Sequence, residues 1–531
     1  GIFATTGDLI SGVAGPAAVL SWAIAGIICV INGFAYMELV TRVPSSGSTY
    51  AYAYHTLGEL PAVIAAWLLT LEYAMSGAGV ARSWAGKMQS WLEEDYPSHD
   101  FSWMNKQYTN FLAALIMALS VGVLLVGVRF GKFFVNTITV IKLAIVAFII
   151  IAGFAYMDTA NLKPFVPPRD DEAGMYGWQG VISGASLAFF GYVGFDEVCC
   201  LAAEAKNPKT TMPIAVISVV LTTMMLSVLS SLVLSGMIEY PDAINFSVGF
   251  RNQGADWAAK IVHAGETATM PVVVLIAFLA QPRLNYALAC DGLMPQIFAK
   301  VDEKGNLFIN TLLTGILFVI ISFVVPFDTL WDIVNFGIFL NFVLSNCSLL
   351  MARTRKHSPR KAPIAIGTLV VCALLAGFIY QKGYDEIAKA DRSDAALVFA
   401  IIFLVGAVLS CLFIAFMCPQ EELEPDVYAA PFVPFLPAIA IIADFYMMAQ
   451  LSNLGLELSL AWVGAAIVSY FIYGYGNSAG RTGWSALLHY LPHMSASQHD
   501  QNGDESFSNA PMLEGSDMLS PNGKKFKLQG P

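Results

Sequence analysis

The chain has 531 residues, of which 56% are hydrophobic and 13% charged, with a formal net charge of −11 at pH 7. Soluble globular domains carry about a quarter charged residues, so this composition excludes an ordinary soluble protein. The acidic balance, with no GxxxxGK[ST] run and no zinc-ligand spacing, excludes a nucleic-acid surface, a P-loop and a structural zinc site.

The apolar residues gather in runs of about twenty, long enough to cross a hydrocarbon core about 30 Å thick. Lipid leaves no water for backbone groups outside helices or closed barrels. Continuous apolar runs contradict the alternating strands of a barrel. The fold class is therefore all-α, a polytopic membrane protein.

The chain opens on GIFATTG rather than Met, with an apolar run about half a span long. The expectation is an amino-terminally truncated chain in which the first half of helix 1 is missing. Helices are then expected near 16–40, 61–84, 111–128, 133–157, 179–202, 213–237 and 258–282. More follow near 308–325, 330–351, 364–380, 396–417, 432–450 and 459–475, which with the helix 1 remnant makes about 14. The loop ARTRKHSPRKAP holds Arg353, Arg355, Lys356, Arg360 and Lys361 without an acid. By the positive-inside rule it faces the cytoplasm. Asn245-Phe246-Ser247 then falls outside as a candidate glycan acceptor. Residues 1–478 are expected to form the transmembrane domain, and the polar stretch 479–531 a disordered cytoplasmic tail.

The eight cysteines lie in or beside apolar spans and read as packing residues. The loop 85–110 has none, so no disulfide-linked heavy chain is expected. Two ionisable residues interrupt apolar segments: Glu72 in TLEYAM and Lys142 in VIKLAI. Each costs about 2.5–3.5 kcal/mol at mid-membrane, which argues for a polar pathway that both can face. The two glycines of Phe190-Gly191-Tyr192-Val193-Gly194-Phe195-Asp196 suit either a helix break or a helix–helix packing face. His263 and Glu266 stand three residues apart on one helix face. They line the pathway, Glu266 as a cation-selective acid and His263 as a pH-responsive group, or else lie near the outer surface. Arg82, near a helix end, is expected to snorkel to the interface.

Four stretches resemble the cationic amino acid transporter family of the amino acid–polyamine–organocation superfamily. They are GIF at 1–3, FAYMELVTRVPSSGSTYAYAYHTLGE at 34–59, FFGYVGFDEVCCLAAEAKNPKTTMPIAV at 189–216 and QPRLNYALACDGLMPQIFAKV at 281–301. The resemblance implies a five-plus-five inverted repeat with broken helices 1 and 6. Half-helix termini would bind the carboxylate and ammonium of an amino acid. Carried over to this chain, the substrate-binding residues are Gly1, Ile2, Phe3, Thr6, Glu72, Phe190, Gly191, Tyr192, Val193, Gly194 and Phe195. The coupling or gating residues are Lys142, Asp196, Glu266 and His263. Lys142 matches a helix 5 lysine that stands where sodium-coupled relatives bind Na⁺, and either substitutes for the ion or also exchanges a proton. Glu72 matches a helix 3 glutamate of cationic members and either offsets the second charge of the cargo or pairs with Lys142. A unit charge at about 4 Å is worth on the order of 4 kcal/mol at an effective dielectric near 20, before desolvation.

The function implied is a secondary-active or facilitative carrier of cationic L-amino acids (Arg, Lys, ornithine) by alternating access, with no enzymatic activity and no cofactor. Its partners are the amino acid, the lipid bilayer and, under one reading, a proton. A neutral or broad amino acid carrier and a transport-dead nutrient receptor are the alternatives. The plasma membrane or a vacuolar membrane would hold it.

Overall fold

The computed structural model describes residues 1–478, apart from 44–46, 97, 127–131, 170–174, 201, 203, 204, 206, 303–305, 386–393 and 424–426. Beyond 478 it describes only Met518–Leu519 and Lys525–Phe526, paired antiparallel, so the expected tail lies almost wholly outside the described residues.

Among the described residues, ten helices are long and apolar enough to cross a membrane, and 111–125, 308–324 and 435–449 are shorter apolar helices. α1 (Ile2–Asp8) continues through a π-turn and a 3₁₀ turn at Gly15–Ala17 into α2 (Ala18–Arg42). α3 (Thr49–Thr56) precedes a long rod in which α4 (Glu59–Thr70), the π-turn Leu71–Met75 and α5 (Ser76–Asp95) are continuous. That rod outruns the expected 61–84 because its polar last turns still satisfy their own backbone. A hairpin of β1 (Asn105–Lys106) and β2 (Thr109–Asn110) leads into α6 (Phe111–Leu125), and the Asn110 side chain caps its first turn. α7 (Lys132–Tyr156), α8 (Gly177–Ala188), α9 (Phe195–Cys200), α10 (Pro208–Met237) and α11 (Phe246–Asn252) follow.

α12 (Asp256–Cys290) runs unbroken past Pro271 and Pro282. α13 (Phe308–Val324), α14 (Phe327–Thr354), α15 (Lys361–Tyr380), α16 (Asp394–Met417), α17 (Phe435–Ala449), α18 (Asn453–Ser469) and α19 (Tyr475–Asn477) complete the bundle.

Burial separates the centre from the lipid-facing ring. In the most apolar window, 89% of 327–354 and 83% of 59–93 is buried, against 28% of 394–417. The central helices can therefore hold polar groups away from lipid, and they do. Asn32 donates to Asp444 at 2.9 Å and accepts from Asn346 at 2.6 Å, tying α2 to α17 and α14.

At the end of the bundle that carries the basic 353–361 loop, Glu38 is fully buried and receives both Nε and Nη2 of Arg353 at 2.7 Å. Glu38 also accepts Arg42 Nε and the Ala430 N–H, each at 2.9 Å. A buried carboxylate with four donors is fully compensated, and it clamps three otherwise separate segments.

Two expectations are corrected at the opposite end. Arg82 is 5% exposed and does not snorkel. It donates to Ser322 O at 2.7 Å, Phe323 O at 2.6 Å and Gln107 O at 2.9 Å, capping the carboxyl end of α13 and holding the hairpin. Asn245 is buried, and its Oδ1 accepts from Val248 N and Ser247 Oγ. It is an N-cap for α11 rather than a surface acceptor for a glycan.

Candidate translocation site

Helix 6 is broken where its glycines stand. After α8, residues Phe189–Tyr192 tighten to a 3₁₀ turn, Val193 swings to ψ 134°, and Gly194 takes φ +109° before α9 begins. That φ suits glycine alone, so the break is narrower than the expected 190–196 and centres on Val193-Gly194. Gly1 is the one residue of the expected Gly1-Ile2-Phe3 break outside α1; Ile2 and Phe3 are helical.

The two segments meet. A Cβ on Gly1 would run into the Gly191 backbone, and one on Gly191 would enter the Trp22 ring. The Tyr192 hydroxyl donates to Trp22 O at 2.7 Å and fixes this crossing to α2. Thr6 Oγ1 and Trp22 Nε1 are buried with no hydrogen-bond partner among the described residues.

Aromatic rings flank the break on both sides. Phe190 lies edge-on to Phe327 at 6.0 Å and Trp331 at 6.4 Å, and its ring abuts Gly79. Phe195 meets Tyr36 at 5.5 Å and Phe342 at 5.4 Å. Phe3 packs on Phe246 at 6.3 Å, which brings the segment before α11 over α1.

Glu72 sits inside the π-turn, 1% exposed. Such turns leave a carbonyl without its usual partner, and the one Ser76 hydroxyl proton is shared between Glu72 O and Tyr73 O. The Glu72 carboxyl accepts from Asn341 Nδ2 on α14 and hydrogen-bonds the Asp196 carboxyl in the first turn of α9. Asp196 Oδ2 and Asn341 Oδ1 remain buried without a partner among the described residues. The partner of Glu72 is thus Asp196, and Lys142 is not in contact with it.

Lys142 is half-buried on α7, with no carboxylate within ion-pair distance among the described residues. Ile145, one turn on, abuts Gly265 of α12.

His263 and Glu266 form a second group at the Arg82 end of the bundle. His263 Nε2 lies 2.5 Å from Ser247 Oγ, and Trp91 stacks on its ring at 6.0 Å. Glu266 Oε2 is 3.1 Å from Lys87 Nζ. Lys87 follows Glu72 by about 22 Å of helix axis, so the structure does not bring Glu266 and His263 to the Glu72 carboxyl. Asn341, Trp22 and Lys87 escaped the sequence reading. The amide in the apolar run GIFLNFVLSN was a visible signal for Asn341; Trp22 and Lys87 carried none.

The amino acid permease family matches residues 1–385, and the family's carboxyl-terminal segment matches 428–478. The chain is 34% identical over 395 residues to the methylthioribose transporter of Bacillus subtilis, covering 71% of this chain and 82% of that one. It is 27% identical over 544 residues to cationic amino acid transporter 4 of Homo sapiens, covering 90% and 85%. A branched-chain amino acid permease of Bacillus subtilis is 29% identical over 434 residues, covering 78% and 89%. The chain belongs to the amino acid permease family and is an integral, multi-pass membrane protein.

Proposed function

We propose that the chain is a secondary carrier of cationic L-amino acids that works by alternating access, with about 14 membrane helices arranged as a five-plus-five inverted repeat. The observation that carries the cationic reading is the surplus of buried acceptors around Glu72. Asp196 Oδ2 and Asn341 Oδ1 have no donor among the described residues. Buried polar groups are normally paired, and an ammonium or guanidinium supplies several donors together with the charge that two acids call for. The crossing of Gly1 and Gly191 lets a substrate approach both backbones closely, and the aromatic residues Phe190 and Phe195 serve as lids on either side. Asp196 and Lys142 are the coupling groups, with Lys142 in place of a sodium ion.

A neutral or broad carrier is the second reading. It is favoured by the engagement of Glu72 with Asn341 and Asp196, which leaves that carboxyl less available to a charged side chain. Uptake of labelled arginine into liposomes holding the purified protein tests the two. Competition by lysine but not leucine supports the cationic carrier. Competition by leucine shifts the reading to a broad carrier, and binding without uptake would point to a receptor.

A further inference from the structure

We propose that Lys87 and Glu266 form an entry subsite for a zwitterionic α-amino acid, on the approach to the crossing of Gly1 and Gly191 from the Arg82 end of the bundle. The inference rests on the amino acid carrier reading. Glu266 is 1% exposed, and its two oxygens differ: Oε2 takes Lys87 Nζ at 3.1 Å, while Oε1 is buried with no hydrogen-bond partner among the described residues. Ion pairs buried only for stability have their remaining lone pairs satisfied. This one keeps an acceptor open.

Lys87 is the accessible half of the pair, with 12% of its side chain exposed, and one of its three donors is used. Lys87 lies about 12 Å of helix axis beyond Gly79, which abuts the Phe190 ring, and its helix α5 packs against α1, so the pair stands on the approach to the helix crossing and not out on a loop. The position is held from both sides, because Trp84 Nε1 donates to Thr267 O at 3.0 Å and locks α5 against α12 one residue from Glu266.

A zwitterion completes this arrangement without separating the pair. Its ammonium meets Glu266 Oε1 and its carboxylate meets the free donors of Lys87, giving four charges of alternating sign. An amine without a carboxylate, or an acid without an amine, satisfies only one half.

The test is uptake kinetics in liposomes of known protein orientation, with labelled amino acid presented to each face in turn. Glu266→Gln and Lys87→Met are each expected to raise KM about tenfold for substrate presented at the Arg82 face; since kcat/KM must fall equally from both faces, the loss at the opposite face is expected in kcat, with KM there unchanged. The decisive variant is Lys87→Met/Glu266→Met. A purely structural ion pair replaced by two apolar side chains recovers its melting temperature and its KM, whereas a subsite keeps the raised KM after the melting temperature recovers. Recovery of KM in the double variant, or an equal rise in KM at both faces, overturns the subsite while leaving the carrier reading intact. Failure of the unmodified protein to move any amino acid overturns both.

Discussion

The carboxyl groups of Glu72 and Asp196 hydrogen-bond each other in the centre of the bundle, one held by a π-turn and the other by the first turn after a helix break. Neither element is regular helix, and each can change its backbone without unwinding a whole span. A proton or a cationic side chain between them is therefore linked to the geometry of both helices.

The first prediction follows from that link. Glu72→Gln keeps the shape and an acceptor toward Asn341 but removes a charge. Arginine uptake is expected to fall about tenfold, the equivalent of about 1.4 kcal/mol, with leucine uptake, where present, changing less than about twofold. Measuring both in the same liposome preparation checks it. An equal loss of the two assigns Glu72 to structure.

Lys142 carries the second. Its side chain is half-buried, with no carboxylate within ion-pair distance among the described residues. Replacing external sodium by choline is expected to leave the initial rate of uptake unchanged. Lys142→Ala is expected to abolish it, because the polar lining of the pathway then loses its fixed cation. Strict dependence of the unmodified protein on sodium would exclude this role.

The third concerns the helix crossing. Gly191→Ala places a methyl in the Trp22 ring and separates the Tyr192 hydroxyl from Trp22 O. Transport is expected to fall more than tenfold while the protein still inserts in the membrane. Gly367→Ala is the control, since a Cβ there meets nothing within 4 Å and uptake should be unaffected.

What could be read from the chain, and what could not, divides along a physical line. Glu72 was visible because a lone acid in an apolar run is costly wherever it lies, and the weak point in helix 6 because glycine is needed for φ near +109°. Which residues they pair with was not visible, although Asp196 and the amide Asn341 each stood out alone. Asp196, Asn341 and Lys87 reach their places through packing of distant helices, and no local spacing encodes which acid a given amide or ammonium will meet. Arg82 misled for the same reason. Near a helix end an arginine ordinarily reaches for water, but here the last carbonyls of α13 and the small hairpin close over it. The Asn245 triplet satisfied a surface pattern while its side chain was consumed locally as a helix cap.

The last prediction separates clamp from site. Glu38 receives four donors, two from Arg353 and one each from Arg42 and the Ala430 backbone, at the end of the bundle opposite Lys87. Removing one member of a buried ion network leaves the others uncompensated and costs about 3–5 kcal/mol. Arg353→Ala is expected to lower the melting temperature in detergent and to reduce the amount of folded protein. The KM of whatever folds should be unchanged, because the clamp touches no residue of the helix crossing. Glu38→Leu/Arg353→Met removes both charges and should recover part of the melting temperature. If it instead recovers stability fully but not the transport rate, the clamp is a moving part of the cycle rather than a fixed support, since a purely static tie has no reason to affect turnover once the fold is restored.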